Sequence, residues 1–319
     1  ETLVATLFQP PYVQPLLIPQ GQALTYVRAV AYLADGNSTE DTVLVNVPGD
    51  FADQVDVQLI ELFTSVVDGR GRPVEGLTRD DFKVYEDGVE QEVRRFELVK
   101  DVPIYAGVVL DTSGSMGDQG GHKLDAAVRG ALDFFEHVIT PKDRAAVITF
   151  ADQPTLAVRF TNQQEVLAGG LAGLTAEGDT ALHDSLVYAL YYFGGIKGKR
   201  AIIVLSDCQD FGSKYTFLET LEYARRSGVA LYAIGIDLKE FDTRTKLQRL
   251  SEETGGRSYF VGTGGDLGKI FEEVEKELRS QYLLAYQSSN QGKEEKFRAV
   301  EIKVAKPGLE AKTVRGYYP

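Results

Sequence analysis

At 319 residues, the chain exceeds the usual size of one domain, so its length predicts two or three domains. Its 47 acidic and 34 basic residues give a net charge of −13, which argues against nucleic acid or an anionic membrane surface as partner. No stretch approaches the roughly 20 apolar residues that span a bilayer. The single cysteine, Cys208, excludes an intrachain disulfide. A cation is the easier ligand.

Residues 1–48 predict β structure, because short apolar or alternating runs are separated by turn residues and no helix-period stretch occurs. The runs Leu3–Phe8 and Ala29–Tyr32, with the turn at Asp35–Gly36–Asn37, resemble the second half of a bacterial immunoglobulin-like domain. That resemblance implies a partial immunoglobulin-like β domain over residues 1–50. Residues 1–20 lack the pattern of a signal peptide, so we expect a mature or trimmed fragment.

Two further stretches have β character, one on each side of the middle of the chain. The predicted strands are Val55–Val67, Val93–Val99, Tyr282–Tyr286, Val300–Val304 and Lys312–Tyr317. Because they share this periodicity, we expect residues 51–101 and 280–319 to pair into one small, discontinuous β-sandwich.

Residues 102–279 alternate strand and helix patterns, which predicts an α/β fold with a doubly wound, mostly parallel sheet covered by helices on both faces. The predicted strands are Ile104–Leu110, Ala145–Phe150, Leu156–Phe160, Ala201–Leu205, Leu231–Ile236 and Ser258–Val261. The predicted helices are Lys123–Val138, Gln164–Leu171, Ala181–Phe193, Tyr215–Arg226, Arg244–Glu253 and Leu267–Arg279. Ligands of such sheets bind at the carboxyl ends of the strands.

Three strand-end loops carry oxygen-bearing side chains. Asp111, Ser113 and Ser115 follow the first strand of this region, Thr180 precedes a helix, and Asp207 ends another strand. Carboxylate and hydroxyl oxygens are the hard ligands that Mg²⁺, Mn²⁺ or Ca²⁺ prefer. The sequence therefore predicts a divalent-cation site at this edge of the sheet.

The spacing Asp-x-Ser-x-Ser, with the Gly-x-Thr-Ala-Leu segment at 178–182 and the Leu-Ser-Asp strand end at 205–207, resembles the metal-ion-dependent adhesion site (MIDAS) of von Willebrand factor A domains. The order of elements over 102–279 is similar to that family. The flanking segments 76–88 and 315–318 resemble the von Willebrand-related proteins of acidobacterial genomes. The domain would then be inserted into the sandwich, as the similar domain is in integrin β subunits.

This resemblance implies that Ser113 and Ser115 bind the ion directly, and that Asp111, Thr180 and Asp207 do so directly or through water. Mg²⁺ is the expected metal, with Mn²⁺ or Ca²⁺ as alternatives. A coordination position would be left for an Asp or Glu carboxylate of a protein partner. Two departures from the family pattern are Cys208, where glycine usually follows the aspartate, and Asp179 before the threonine.

Three functions follow as hypotheses. The first is a secreted, periplasmic or surface adhesion module without enzymatic activity, which grips a partner carboxylate through its cation. The second is an architectural subunit of a filament or larger complex. The third is a metal-dependent hydrolase with Asp111 as nucleophile, although haloacid dehalogenase-like enzymes need a second acid where Ser113 stands. His122 and His183 flank the site, but loop solvation explains His122, and helix-surface packing explains His183, better than a ligand role does.

Overall fold

The computed structural model describes residues 6–7, 25–32, 38–45, 59–99, 102–117, 122–196, 198–207, 210–262, 267–290, 292 and 296–319. Its strands are β1 (Thr25–Tyr32), β2 (Ser38–Val45), β3 (Leu59–Asp68), β4 (Phe82–Glu86), β5 (Val89–Gln91), β6 (Val93–Val99), β7 (Ile104–Asp111), β8 (Arg144–Phe150), β9 (Pro154–Thr161), β10 (Lys199–Ser206), β11 (Ala230–Ile236), β12 (Ser258–Val261), β13 (Gln281–Gln287), β14 (Arg298–Val304), β15 (Leu309–Lys312) and β16 (Gly316–Tyr317). Its α-helices are α1 (His122–Val138), α2 (Gln164–Gly169), α3 (Leu182–Tyr192), α4 (Phe217–Ser227), α5 (Phe241–Glu253) and α6 (Leu267–Arg279).

The predicted fold class is confirmed. A central six-stranded sheet has the order β12-β11-β10-β7-β8-β9, parallel throughout except for the antiparallel edge strand β9. Two antiparallel four-stranded sheets, β15-β3-β13-β6 and β16-β14-β4-β5, accompany it. None of the described helices combines the length and the apolar character needed to cross a membrane.

Strand β7 lies at the centre of the α/β part, and every one of its eight residues is buried. Its even-numbered residues face a core built with α1 and α6, and its odd-numbered apolar residues face a core built with α3, α4 and α5. Gly107 allows one close approach, because a Cβ there would stand 2.9 Å from the buried ring of Phe193. Alternation along one strand thus produces a helix layer on each face.

The chain leaves β7 in one direction, through α1 to β8, while β10 pairs with the opposite edge of β7. The two neighbouring strands β7 and β10 therefore form a topological switch point. Crevices at such points, outside the carboxyl ends of the strands, are where open α/β sheets bind ligands.

The two smaller sheets take strands from both sides of the α/β part in sequence. β13 pairs antiparallel with β3 and β6, and β14 pairs antiparallel with β4. The sheets share one apolar core that includes Leu62, Phe82 and Tyr282. The domain boundaries, including those of the partial immunoglobulin-like domain at 1–50, stay a prediction. Most of residues 1–50, including most of the predicted strand at Leu3–Phe8, lies outside the described residues, whereas β1 and β2 pair antiparallel.

One predicted strand, Lys312–Tyr317, is wrong. Its first residue ends β15, which pairs with β3, and Gly316–Tyr317 form β16, which pairs with β14. Between them Arg315 donates its backbone N–H to the carbonyl of Glu253 at 3.0 Å. Local alternation continued through these residues, but the chain crosses from one sheet to the other there.

Two buried charges lie close to the points where the chain crosses between the α/β part and the flanking sheets. The Lys199 ammonium, 1% exposed, donates to the carbonyl of Val99 at 2.6 Å and to that of Leu278 at 2.8 Å. The Arg279 guanidinium donates to both oxygens of the buried Asp143 carboxylate. Lys199 thus links the end of β6, before the first crossing, to the end of α6, before the second.

A second buried carboxylate, that of Glu86, joins the two flanking sheets. It accepts hydrogen bonds from the hydroxyls of Tyr286, Tyr317 and Ser288 at 2.6–2.9 Å, and the Arg298 guanidinium lies 3.4 Å away. Burial alone would raise the pKa of this carboxyl, but the hydroxyl donors and Arg298 outweigh it and hold the pKa below its ordinary value.

We expect Glu86→Ala to lower the free energy of unfolding by about 3 to 5 kcal/mol, because the buried Arg298 charge loses its carboxylate. Urea denaturation followed by circular dichroism measures the change. Glu90→Ala, which removes an exposed carboxylate from the adjacent strand, is the matched control and should cost less than about 1 kcal/mol. Equal losses in the two variants would show that the buried cluster does not hold the sheets together.

Candidate metal centre

Asp111 ends the central strand, and its side chain is fully buried. One carboxylate oxygen accepts from the backbone N–H of Ser113 at 2.8 Å, and the other accepts from the Ser206 hydroxyl at 2.5 Å. Burial raises the pKa of Asp111 to about 6, against the lowering effect of these hydrogen bonds, and the charge of Asp207 adds to the rise. The carboxylate is therefore fixed in place but costly to ionise.

The two predicted serines and Asp207 form a hydrogen-bonded chain beside Asp111. A one-turn 3-10 helix at Gly114–Gly117 brings the hydroxyls of Ser113 and Ser115 to 3.2 Å from each other. The Ser115 hydroxyl donates to Asp207 Oδ1 at 2.7 Å, across 92 residues of sequence. The structure thus brings four of the five predicted site residues together.

The fifth residue, Thr180, is buried on the loop that packs against this cluster. The backbone N–H of Gly114 donates to the carbonyl of Gly178 at 3.0 Å, so the two loops are bonded directly. The Thr180 carbonyl accepts from the N–H groups of Phe211 and Gly212, which ties in the loop after β10. All three predicted loops therefore meet at the carboxyl ends of β7 and β10.

Two residues of this site were missed from the sequence. Ser206 precedes Asp207 and bonds Asp111, and Lys123, on the first turn of α1, places its Nζ 2.5 Å from Asp207 Oδ2. The same ammonium donates to the carbonyl of Ser115 at 3.2 Å. Their only local signals were a hydroxyl at a strand end and a lysine on the apolar side of a helix.

The donor set fits a hard divalent cation. Asp111, Ser113, Ser115 and Asp207 offer only oxygen atoms within one cluster, and the Lys123 ammonium already places a cation against the Asp207 carboxylate. Among the described residues, no three His, Cys, Asp or Glu side chains converge as a metal-binding group. The hydroxyls are thus an essential part of the fit, and such oxygen sets suit Mg²⁺ or Mn²⁺.

The remaining predicted neighbours of the site have other contacts. The ring of His183 pairs with Asp210 at 3.4 Å, and His122 is exposed. Asp179 is exposed, and its backbone N–H donates to the carboxylate of Asp152 at 2.7 Å. Cys208 lies outside the described residues.

Residues 107–210 match the model of the von Willebrand factor type A domain. This part of the chain is a von Willebrand factor A domain. No curated protein matches the sequence. Three solved structures are similar to the chain at low sequence identity.

The structure of proximal thread matrix protein 1 from the mussel byssus, with a zinc-occupied MIDAS motif, is 20% identical; 62% of this chain and 50% of that chain are covered, with a TM-score of 0.50. The vWF domain of the type V pili tip protein Mfa5 from Porphyromonas gingivalis is 14% identical over 56% of this chain and 95% of that chain, with a TM-score of 0.48. A mutant of the PilB minor pilin from Streptococcus sanguinis is 11% identical over 80% and 85%, with a TM-score of 0.48. Identities this low show the fold alone.

We expect Asp111→Asn to stabilise the metal-free protein at neutral pH, by up to ~3 kcal/mol, because it removes a buried charge. The pKa of Asp111 is raised in the fold, so the folded chain holds its proton between pH 4 and 6 where the unfolded chain does not. Protonated Asp111 therefore stabilises wild type at low pH, and this contribution is lost as the pH rises to about 6. The variant has no carboxyl at this position and shows no such loss. Urea denaturation in EDTA at pH 4.5 and pH 7.5 measures the difference.

The exposed Asp125 of α1 provides the control, since Asp125→Asn should leave the pH dependence of stability close to that of wild type. A gap between Asp111→Asn and wild type that is equal at the two pH values would contradict the raised pKa.

Proposed function

We propose that the von Willebrand factor A domain is a metal-dependent binding module and not an enzyme. It binds an Asp or Glu carboxylate of a protein partner. The hydrogen-bonded cluster of Asp111, Ser113, Ser115 and Asp207 at the switch point is the observation that carries this proposal. These four residues, with Thr180 from the adjoining loop, would hold the ion. A bound cation supplies a positive centre to which a partner carboxylate can bind.

The charges of the cluster favour an anion as the last ligand. Asp111 and Asp207 contribute two negative charges, and Lys123 contributes one positive charge. A divalent cation then leaves the site with one net positive charge. An incoming carboxylate neutralises that charge, which supports binding without any chemical step.

The surroundings of the site restrict the partner. An open groove of about 450 Å³ lies beside it, lined in part by Thr112, Asp152 and Glu177. Both acidic side chains are exposed, as is that of the nearby Asp179. We therefore propose a partner segment in which a single carboxylate is flanked by basic residues, because further acidic residues would be repelled by this rim.

We propose a secreted, periplasmic or cell-surface location, where a module of this kind can meet a partner and join a larger assembly. Mg²⁺ is the proposed ion, with Mn²⁺ or Ca²⁺ as alternatives. Zinc belongs in the test as well, because the mussel-byssus structure is described with zinc in its MIDAS motif.

The first measurement is calorimetric titration of the protein with Mg²⁺, Mn²⁺, Ca²⁺ and Zn²⁺. We expect one ion per chain, with Ser115→Ala weakening the affinity by at least about tenfold. Removing even a group that only supports a metal ligand lowers metal affinity by roughly 10- to 100-fold. Thr245→Ala, which removes an exposed hydroxyl from α5, is the control and should bind like wild type. No ion bound by wild type would overturn the proposal.

The second measurement uses a random peptide library displayed on phage and selected on the metal-loaded protein. We expect the enriched peptides to contain one Asp or Glu near Lys or Arg, and to be released by EDTA. Replacing the acid with its amide in a selected peptide should abolish binding. Peptides that bind equally well in EDTA, or with the amide in place of the acid, would contradict a role for the metal in gripping a carboxylate.

A further inference from the structure

Lys123 is an unexpected component of the site. The side chain is buried, yet its ammonium lies against the Asp207 carboxylate and donates to the carbonyl of Ser115. It lies in the first turn of α1, where the helix dipole favours negative side chains. The helix itself therefore gives no reason for a lysine there, and the Asp207 carboxylate does.

The position of Lys123 is fixed by packing. Its neighbour Leu124 and the next turn at Ala127 are buried in the core between α1 and the central sheet. This packing keeps the first turn of α1 over the loop that contains Ser115. Burial of an ammonium is expensive unless a close partner compensates, and Asp207 Oδ2 at 2.5 Å is that partner.

Lys123 and the serine hydroxyls use different oxygens of one carboxylate. Asp207 Oδ1 accepts from Ser115, and Asp207 Oδ2 accepts from Lys123. The hydrogen bond from Ser115 thus goes to Oδ1, whereas the short contact with Lys123 is made by Oδ2. A metal on the serine side and the ammonium on the other side can share Asp207.

We propose that the Lys123 ammonium sets the net charge of the site. It lowers the affinity of the site for the metal and raises the affinity of the metal-loaded site for a carboxylate. This inference rests on the proposed function. Without Lys123, two carboxylates would attract the ion more strongly, but the loaded site would be neutral and would attract an anion less. The lysine thereby exchanges metal affinity for ligand affinity.

The test compares wild type with Lys123→Met and Lys123→Arg by calorimetric titration with Mn²⁺. We expect Lys123→Met to bind Mn²⁺ about tenfold more tightly, within the range of typical coupling between sites. Lys123→Arg keeps the charge and should stay within about twofold of wild type. Lys214→Met removes an exposed lysine near the same edge of the sheet and should also resemble wild type, because solvent screens that charge.

The carboxylate half of the inference is tested with acetate, titrated into Mn²⁺-saturated protein and followed by the water-proton relaxation of the bound ion. We expect Lys123→Met to bind acetate about fivefold or more weakly than wild type. Thermal unfolding with and without Mn²⁺ checks that the variants fold, and Lys123→Met should show the larger stabilisation by Mn²⁺.

The outcomes separate the two proposals. Wild type that binds no Mn²⁺ overturns the proposed function. Wild type that binds Mn²⁺, with Lys123→Met binding it equally or more weakly, overturns the role of Lys123 and leaves the metal site standing. If Lys123→Met binds Mn²⁺ more tightly but binds acetate as wild type does, the inference is also overturned. The charge of Lys123 would then have no effect on the affinity for a carboxylate.

Discussion

The burial of one carboxylate at the end of the central strand is the constraint on which the rest of the structure depends. Asp111 is fully buried, and ionising it there costs free energy that only polar neighbours can offset. Strand β10 supplies one such neighbour, the Ser206 hydroxyl, and the loop after β7 supplies the Ser113 N–H. Pairing of β7 with β10 and a tight loop are thus required to keep this charge inside the fold.

The same constraint supports the proposed affinity of the site for cations. A buried carboxylate whose pKa is raised to about 6 lacks full compensation, so a divalent ion near it restores the balance of charge. The second carboxylate differs, because Asp207 already has the Lys123 ammonium as counter-ion. In the proposed site, Asp111 would therefore be left to the metal, while Lys123 holds Asp207 in place.

Buried polar groups elsewhere in the fold join its parts to one another. Lys199 ties the two crossings between the α/β part and the flanking sheets, and Glu86 ties those sheets to each other. Such groups are expensive to bury and are stable only when every partner is present.

The sequence by itself determined the alternation of strands and helices, the α/β class and four of the residues that gather at the strand ends, with Thr180 on the adjoining loop. These features are local, because periodicity and strand-end loops depend on residues that are close in sequence. Tertiary structure alone decided the contacts of Lys123 and Ser206, whose partners lie 84 and 95 residues away. It also split the alternating stretch Lys312–Tyr317 between two sheets, since pairing partners far along the chain determine where a strand ends.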